Sequence, residues 1–286
     1  MELQTEPTLN QQQPMTDAEM ETYRLHRKFD RMGRLVGDDA MKKLMQSHVM
    51  VLGLGGVGSW AAEALVRSGV GKLTIVDFDE VCVTNFNRQL HAVGPVVGQP
   101  KTKIMEERLL KINPAVKIVS IEKFYNQARH EEIFSERPDF VLDAIDHVTS
   151  KCYLLARCRS EGIPIVTSTG SGGRMDPTQI RAADLSDTIR DPLAKDIRRV
   201  LRQEHNFPGE GQGGFGITAI YSEELPTKPM ELHYDNGKGF RCVCPQGDNE
   251  FFNCDSRNMI YGNAGFVTGT FGFVAASQVV KAIVSK

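Results

Sequence analysis

The stretch HVMVLGLGGVGSWAAEALVRSGVGKLTIVD, residues 48–77, decides the fold. His48–Leu52 is a short apolar run of strand type, residues 53–58 form a glycine-rich turn, and Ser59–Ser68 is helical in pattern. Lys72–Val76 is a second apolar run, and it stops at Asp77. Strand, helix and strand within about 30 residues make a βαβ unit, whose strands are parallel.

The alternation continues outward. Lys101–Lys111 reads as a helix and Val116–Ile121 as a strand; Phe140–Ala144 is a buried-type strand, followed by a helix over Val148–Ser160 and a strand over Ile163–Ser168. This order predicts an α/β fold, a doubly wound, Rossmann-like, mostly parallel sheet. Beyond Gly170, shorter strands are expected at Ile180–Ala183, Gly216–Ser222 and Met230–His233, giving an irregular C-terminal half with mixed strands. Residues 1–22 read as a disordered tail and 23–286 as one domain, with a nucleotide-binding half (48–168) and a substrate half (169–286). Residues 24–47 are an Arg-rich amphipathic leader ending in a helix.

Composition narrows the class. With 34 Lys+Arg against 36 Asp+Glu the formal net charge is −2, and 41% apolar with 24% charged residues is a globular balance. A bulk-basic nucleic-acid coat is excluded, a local basic face is not. The six cysteines, Cys82, Cys152, Cys158, Cys242, Cys244 and Cys254, are too scattered for a disulfide scaffold and suit reduced thiols in a cytoplasmic protein. No secretory signal opens the chain. Residues 262–284 are apolar enough for a membrane-association alternative, but their small residues and Lys281 suit a helix buried in a core.

Gly53, Gly55, Gly56 and Gly58 stand where a loop brings backbone N–H groups to a phosphate at a helix N-terminus. Asp77 ends the next strand, where a carboxylate accepts from ribose hydroxyls. That much suits a nicotinamide dehydrogenase equally well. Asp79, Asn85, Arg88, Gln89 and Lys101 then follow in order, and Arg88 and Lys101 offer the cations that the β- and γ-phosphates of ATP need. Asp146, just past the strand at Phe140–Ala144, lies at the carboxyl edge of the sheet and suits Mg²⁺ held against phosphates. Asp79 has a second reading as a brace of the loop, Asp143 reads as structural, and His147 as a neighbour of Asp146 rather than a ligand. The sequence does not identify a general base; Asp146 and Asp176 are the carboxylates considered for their proximity.

This ordered set, with Arg31 in Arg27-Lys28-Phe29-Asp30-Arg31, resembles the ThiF/MoeB superfamily of ubiquitin-activating-type adenylyltransferases. The resemblance implies that Asp77 binds ribose, that Asn85, Arg88 and Lys101 contact phosphates, and that Asp146 acts with Mg²⁺. It also implies that Arg31 enters the partner subunit's site, so that a homodimer is required, and that a carboxylate is adenylated with release of pyrophosphate. The pattern of two CxxC pairs common among sulfur-carrier-activating members is missing, so zinc is not expected. Thr169–Thr178, Asp184-Leu185, Asp191–Lys195 and Phe266–Ser277 resemble the tRNA threonylcarbamoyladenosine dehydratase subfamily. That implies ATP-dependent cyclisation of N6-threonylcarbamoyladenosine at tRNA position 37; a monovalent cation as a further cofactor and a sulfur-transfer protein as a further partner stay open.

A tRNA partner also accords with the helix expected over Pro192–Gln203. There Lys195, Arg198, Arg199 and Arg202 recur on one face opposite an apolar stripe, a footprint for a phosphate backbone that Arg174 and Arg190 would extend. Phe207 and Phe215, beside the Gly209–Gly216 loop, are candidates for base stacking. Rival readings are adenylation of a ubiquitin-like sulfur carrier with Cys242 or Cys244 as acceptor thiol, a non-catalytic Rossmann-type scaffold, and a nicotinamide oxidoreductase.

Overall fold

The structure, a computed structural model, describes Thr16, Met20 and residues 27–232 and 261–285. Two short helices, α1 (Asp30–Val36) and α2 (Asp38–Gln46), meet at Gly37 and lead into β1 (His48–Leu52). There follow α3 (Gly58–Arg67), β2 (Lys72–Val76), α4 (Lys101–Ile112), β3 (Lys117–Ile121), α5 (His130–Ile133), β4 (Phe140–Asp143) and α6 (Val148–Ser160). The second half adds β5 (Ile165–Ser168), β6 (Ile180–Asp184), α7 (Pro192–Glu204), β7 (Thr218–Ser222) and α8 (Gly265–Val284).

One sheet runs β3-β2-β1-β4-β5-β7-β6. Every pair is parallel except β6 with β7, which is antiparallel. The mixed edge thus comes from the second half, as its shorter strands led one to expect. Met230–Leu232 is no strand: Met230 is 84% and Leu232 63% exposed, so an apolar run without a cover has no sheet to join. His233 lies outside the described residues, as do Cys242, Cys244, Cys254 and all of residues 1–22 except Thr16 and Met20.

Side-chain alternation places β1 between two cores. Val49 and Val51 face the cluster shared with α2, α3, α4 and α8, while Met50 and Leu52 face the one shared with α6 and α7. A strand buried on both faces reads as a continuous apolar run, which is why His48–Leu52 shows no polar alternation.

The apolar segment before the C-terminus is α8, and it is a core helix. It is the one described helix long and apolar enough to cross a membrane, yet 56% of its apolar window is buried inside the protein. Val267, Phe271, Ala275 and Val279 are fully covered. Its glycines set how closely it can approach. A Cβ on Gly265 would lie 2.5 Å from the Asn87 carbonyl oxygen, and one on Gly272 would lie 2.5 Å from the Val57 carbonyl oxygen.

Overpacking that contact has a predictable cost. Gly272→Ala is expected to lower unfolding stability by about 1–3 kcal/mol in urea titration. Gly94→Ala, whose new methyl would meet nothing within 4 Å, should leave the midpoint unchanged.

Candidate active site

Strand order reverses between β1 and β4, so their carboxyl ends open a crevice. Three loops line it: residues 53–58 after β1, 77–79 after β2 and 144–147 after β4. The glycine loop is sterically locked at its two ends. Gly53 has φ +88°, and a Cβ there would lie 2.7 Å from the Ala144 carbonyl oxygen. A Cβ on Gly58 would stand 1.8 Å from the Gly53 carbonyl oxygen. The middle is looser, since a Cβ on Gly55 would meet only Gln89 Nε2, at 4.0 Å. No side chain caps α3, so its first N–H groups face the loop as an anion would require.

Asp77 is buried, and both its oxygens hold backbone. Oδ2 accepts the Leu54 N–H at 2.6 Å and Oδ1 the Asp79 N–H at 2.8 Å. Each carboxylate oxygen has a second lone-pair direction, so a ribose hydroxyl remains compatible with this role. Asp79 Oδ2 lies 2.6 Å from Lys101 Nζ at the start of α4, and the Lys101 N–H bonds the Asp79 carbonyl at 3.0 Å. Lys101 is only 4% exposed. Burial draws its ammonium down, but the charges of Asp77, Asp79 and Asp146 outweigh it and raise the pKa above the ordinary lysine value. The lysine therefore stays charged, among carboxylates from two of the three loops.

Arg88 runs beside the loop, its Cγ 3.2 Å from where a Gly56 Cβ would be. Nη1 donates to the Thr84 carbonyl at 2.7 Å and to Asn87 Oδ1 at 3.1 Å, and Trp60 Nε1 holds the Arg88 carbonyl at 3.0 Å. Asn85 is buried, and its Oδ1 accepts the Cys82 N–H at 3.0 Å, which leaves its Nδ2 for donation elsewhere. Gln89 is buried too, its Oε1 without a partner among the described residues. Asp146 is exposed at the crevice, whereas Asp143 is fully buried, and the two carboxylates are thus separated in environment.

Arg31 is not brought to this crevice. It is exposed on α1, and nearby Phe29 packs against Gly69 and Met41 at the amino-terminal edge of the sheet. His147 is the N-cap of α6, its Nδ1 accepting the Ser150 N–H at 3.3 Å. Asp176 caps the turn at Pro177–Gln179, and hydrogen bonds from Thr178 and Gln179 lower its pKa, which weakens it as a base.

The basic helix differs from its expected form. Lys195 and Arg199 are exposed, Arg199 with Asp196 at 3.6 Å. Arg198 and Arg202 are half-buried and bind the fold: Arg198 donates to Thr188 Oγ1, while Arg202 Nε donates to the Pro208 carbonyl at 3.2 Å and its guanidinium lies 5.3 Å from the Phe215 ring centre. Phe207 and Phe215 are core residues, buried edge to face with centroids 4.9 Å apart, and are not exposed for stacking. Arg174 is buried as well, its Nη2 3.2 Å from Asp191 Oδ2. That oxygen also accepts Thr169 Oγ1 at 2.7 Å, and Oδ1 caps α7 through the Ala194 N–H at 2.9 Å. Asp191 so ties the start of the basic helix to the carboxyl end of β5, beside the crevice.

Several participants escape pattern reading, namely Trp60, Lys151, Thr167 and His91. Lys151 carried a signal, a lysine amid the apolar Cys152, Leu154 and Leu155 of one helix; His91 carried none.

The described residues contain no group of three or more His, Cys, Asp or Glu able to hold a metal alone. The crevice does expose one carboxylate, Asp146, and Mg²⁺ takes one or two carboxylates and completes its shell with phosphates and water. Asp146 is the carboxylate that would hold it.

Comparison with known proteins follows this geometry. The ThiF family model matches residues 29–286. A tRNA threonylcarbamoyladenosine dehydratase of Haemophilus influenzae is 39% identical over 264 residues, covering 91% of this chain and 94% of that protein. Crystal structures of the E. coli tRNA N6-threonylcarbamoyladenosine dehydratase are 36% identical. The ATP complex superposes with a TM-score of 0.78 over 94% of this chain and 96% of that one, the AMP complex with 0.79 over 96% and 98%.

One buried group predicts a pH dependence. His91 is 2% exposed, and neither ring nitrogen has a partner among the described residues. Burial, and then the charges of Lys101 and Arg108, push its pKa from 6.5 to about 3. Between those values the unfolded chain takes up a proton that the folded one refuses, so stability falls as pH drops through this window. Urea unfolding at pH 7 and pH 5 should show the loss, and His91→Leu should flatten it by up to about 1.4 kcal/mol per pH unit. An unaltered slope would assign the acid lability to another group.

Proposed function

The chain belongs to the ThiF family, and from that premise we propose that it is an ATP-dependent dehydratase that cyclises N6-threonylcarbamoyladenosine in tRNA. The observation that carries the reading is the charged Lys101 ammonium, buried among Asp77, Asp79 and Asp146 at the mouth of the glycine loop. A dinucleotide is served mainly by the helix N-terminus, whereas a triphosphate needs a fixed cation beyond it. ATP-bound relatives of nearly the same length accord with this assignment.

In this reading the glycine loop and the α3 N-terminus receive phosphate oxygens, Asp77 the ribose, and Asn85, Arg88, Gln89 and Lys101 the rest of the triphosphate. The threonyl carboxylate attacks the α-phosphate, pyrophosphate leaves, and an acyl adenylate remains. An atom of the same side chain's carbamoyl group then attacks the activated carbonyl, and AMP departs as the ring closes. Arg88 and Lys101 are fixed before the reaction begins, so they stabilise developing charge with little reorganisation. Mg²⁺ at Asp146 would supply further charge neutralisation on the phosphates. The second nucleophile is tethered, so proximity accounts for much of that step without a catalytic thiol. Among the described cysteines this agrees with the chemistry: Cys82, Cys152 and Cys158 are buried, and burial pushes the Cys152 thiol up to about 12 and raises that of Cys158. Neither of the last two is a thiolate nucleophile near neutral pH.

We assign Arg31 to the crevice of a partner subunit in a homodimer. Its helix starts at the amino edge of the sheet, while the loop is at the carboxyl edge, about 17 Å away along a five-residue strand at 3.3–3.4 Å per residue. Supply from the same chain would have to span that sheet. For tRNA, Lys195 and Arg199 are the phosphate contacts, held near the crevice by the Asp191 cap, with Arg198 and Arg202 shaping the helix and loop behind them.

The decisive experiment is mass spectrometry of tRNA bearing the modification after incubation with protein, ATP and Mg²⁺. Loss of one water from the modified nucleoside is expected, and an unaltered mass would sink the assignment. Lys101→Ala should remove pyrophosphate release while circular dichroism stays native; near-normal release would take Lys101 out of the phosphate site. Mixing Arg31→Ala with Asp146→Ala subunits should restore part of the activity, because some mixed dimers keep one intact crevice. Absence of any rescue would place Arg31 outside the neighbour's site.

A further inference from the structure

We propose that the buried Asp143–Lys151 ion pair is a positioning device for Asp146. Both side chains are fully buried, with Lys151 Nζ 2.6 Å from Asp143 Oδ2. The same oxygen accepts the Thr167 Oγ1 hydroxyl from β5 at 2.7 Å, while Oδ1 accepts the Ile145 N–H at 3.0 Å. One carboxylate therefore joins β4, β5, α6 and the turn 144–146. That turn is pressed from its other side. The Ala144 N–H bonds the Leu52 carbonyl at 2.8 Å, and its carbonyl oxygen is the group that forbids a side chain at Gly53. The turn that carries Asp146 is thus held between the pair beneath and the loop above.

A buried ion pair is a poor choice for stability alone, since apolar residues of similar volume replace such pairs without loss. What apolar residues cannot supply is an acceptor for the Ile145 N–H and a carboxylate aimed by three donors. Direction is the property that the pair adds. Neither residue reaches the crevice, so both act through the turn. The inference rests on the assignment of Asp146 to the phosphate-bound cation.

Two variants test it in the full-length protein: Asp143→Leu combined with Lys151→Met, and Thr167→Val. Three quantities are read: the unfolding temperature, the affinity for α,β-methylene ATP in EDTA, and the Mn²⁺ midpoint of that nucleotide complex by electron paramagnetic resonance. The double variant should fold, keep its metal-free nucleotide affinity and raise the Mn²⁺ midpoint at least about tenfold, the size of effect typical when the groups supporting a metal ligand are lost. Thr167→Val, which removes one donor at nearly constant volume, should show the same split in smaller measure. It carries the test alone if the double variant does not fold. An unchanged Mn²⁺ midpoint in a folded variant overturns the proposal, as does an equal loss of metal-free nucleotide affinity, which marks general damage. Wild-type protein that binds no nucleotide would overturn the adenylation reading itself, and this inference with it.

Discussion

The Asp77 carboxylate bonds to the Leu54 and Asp79 N–H groups, and the rest of the crevice takes its position from those two contacts. Hydrogen bonds from backbone to an ionised carboxylate are about twice as strong as neutral ones. Here they join the loop after β1 to the loop after β2, two segments that no strand pairing holds together. Asp79, oriented by the second bond, meets Lys101; Lys101, held by Asp79, opens α4. A single anion at a strand end thus sets the order of the cation behind it.

The crevice is built with its charges already compensated. Lys101 is satisfied by Asp79 before any ligand arrives, and the α3 N-terminus, with no side-chain cap, is the part left to meet an anion. On the proposed reading, a triphosphate entering here would compete with Asp79 for the same ammonium. On that reading selectivity would be a matter of charge: a ligand with few negative groups has little to offer in exchange. The second half adds its own anchor, Asp191, which joins the β5 end, Arg174 and the start of α7. Both halves use a buried aspartate to fix a helix against the carboxyl edge of one sheet.

Much of this was legible in the sequence because backbone demands leave residue types behind. Strands buried on both faces gave continuous apolar runs, so β1 and β2 were found with their observed limits, and the loop between them needed glycine at Gly53 and Gly58. Asp77, Lys101 and Asp146 were readable because loop order in a doubly wound sheet predicts which residues meet at the switch point. The basic helix was half legible. Periodicity located its face but could not tell that Arg198 and Arg202 turn back to Thr188, Pro208 and Phe215, since that depends on a loop folding over them. Phe207 and Phe215 failed for the same reason, their Gly-rich surroundings suggesting an open loop where two rings pack into a core. Lys151 and Thr167 converge on Asp143 only in three dimensions, and spacing along the chain holds no trace of that meeting.

The placement of α8 bears on how the molecule is made. Its buried face fills the side of the sheet that α3 leaves uncovered, and its first turn abuts Asn87, one residue before Arg88. During synthesis the preceding strands leave the ribosome with that apolar side bare until the helix itself emerges. Nascent chains therefore carry that side without its α8 cover until residues 265–284 have been made.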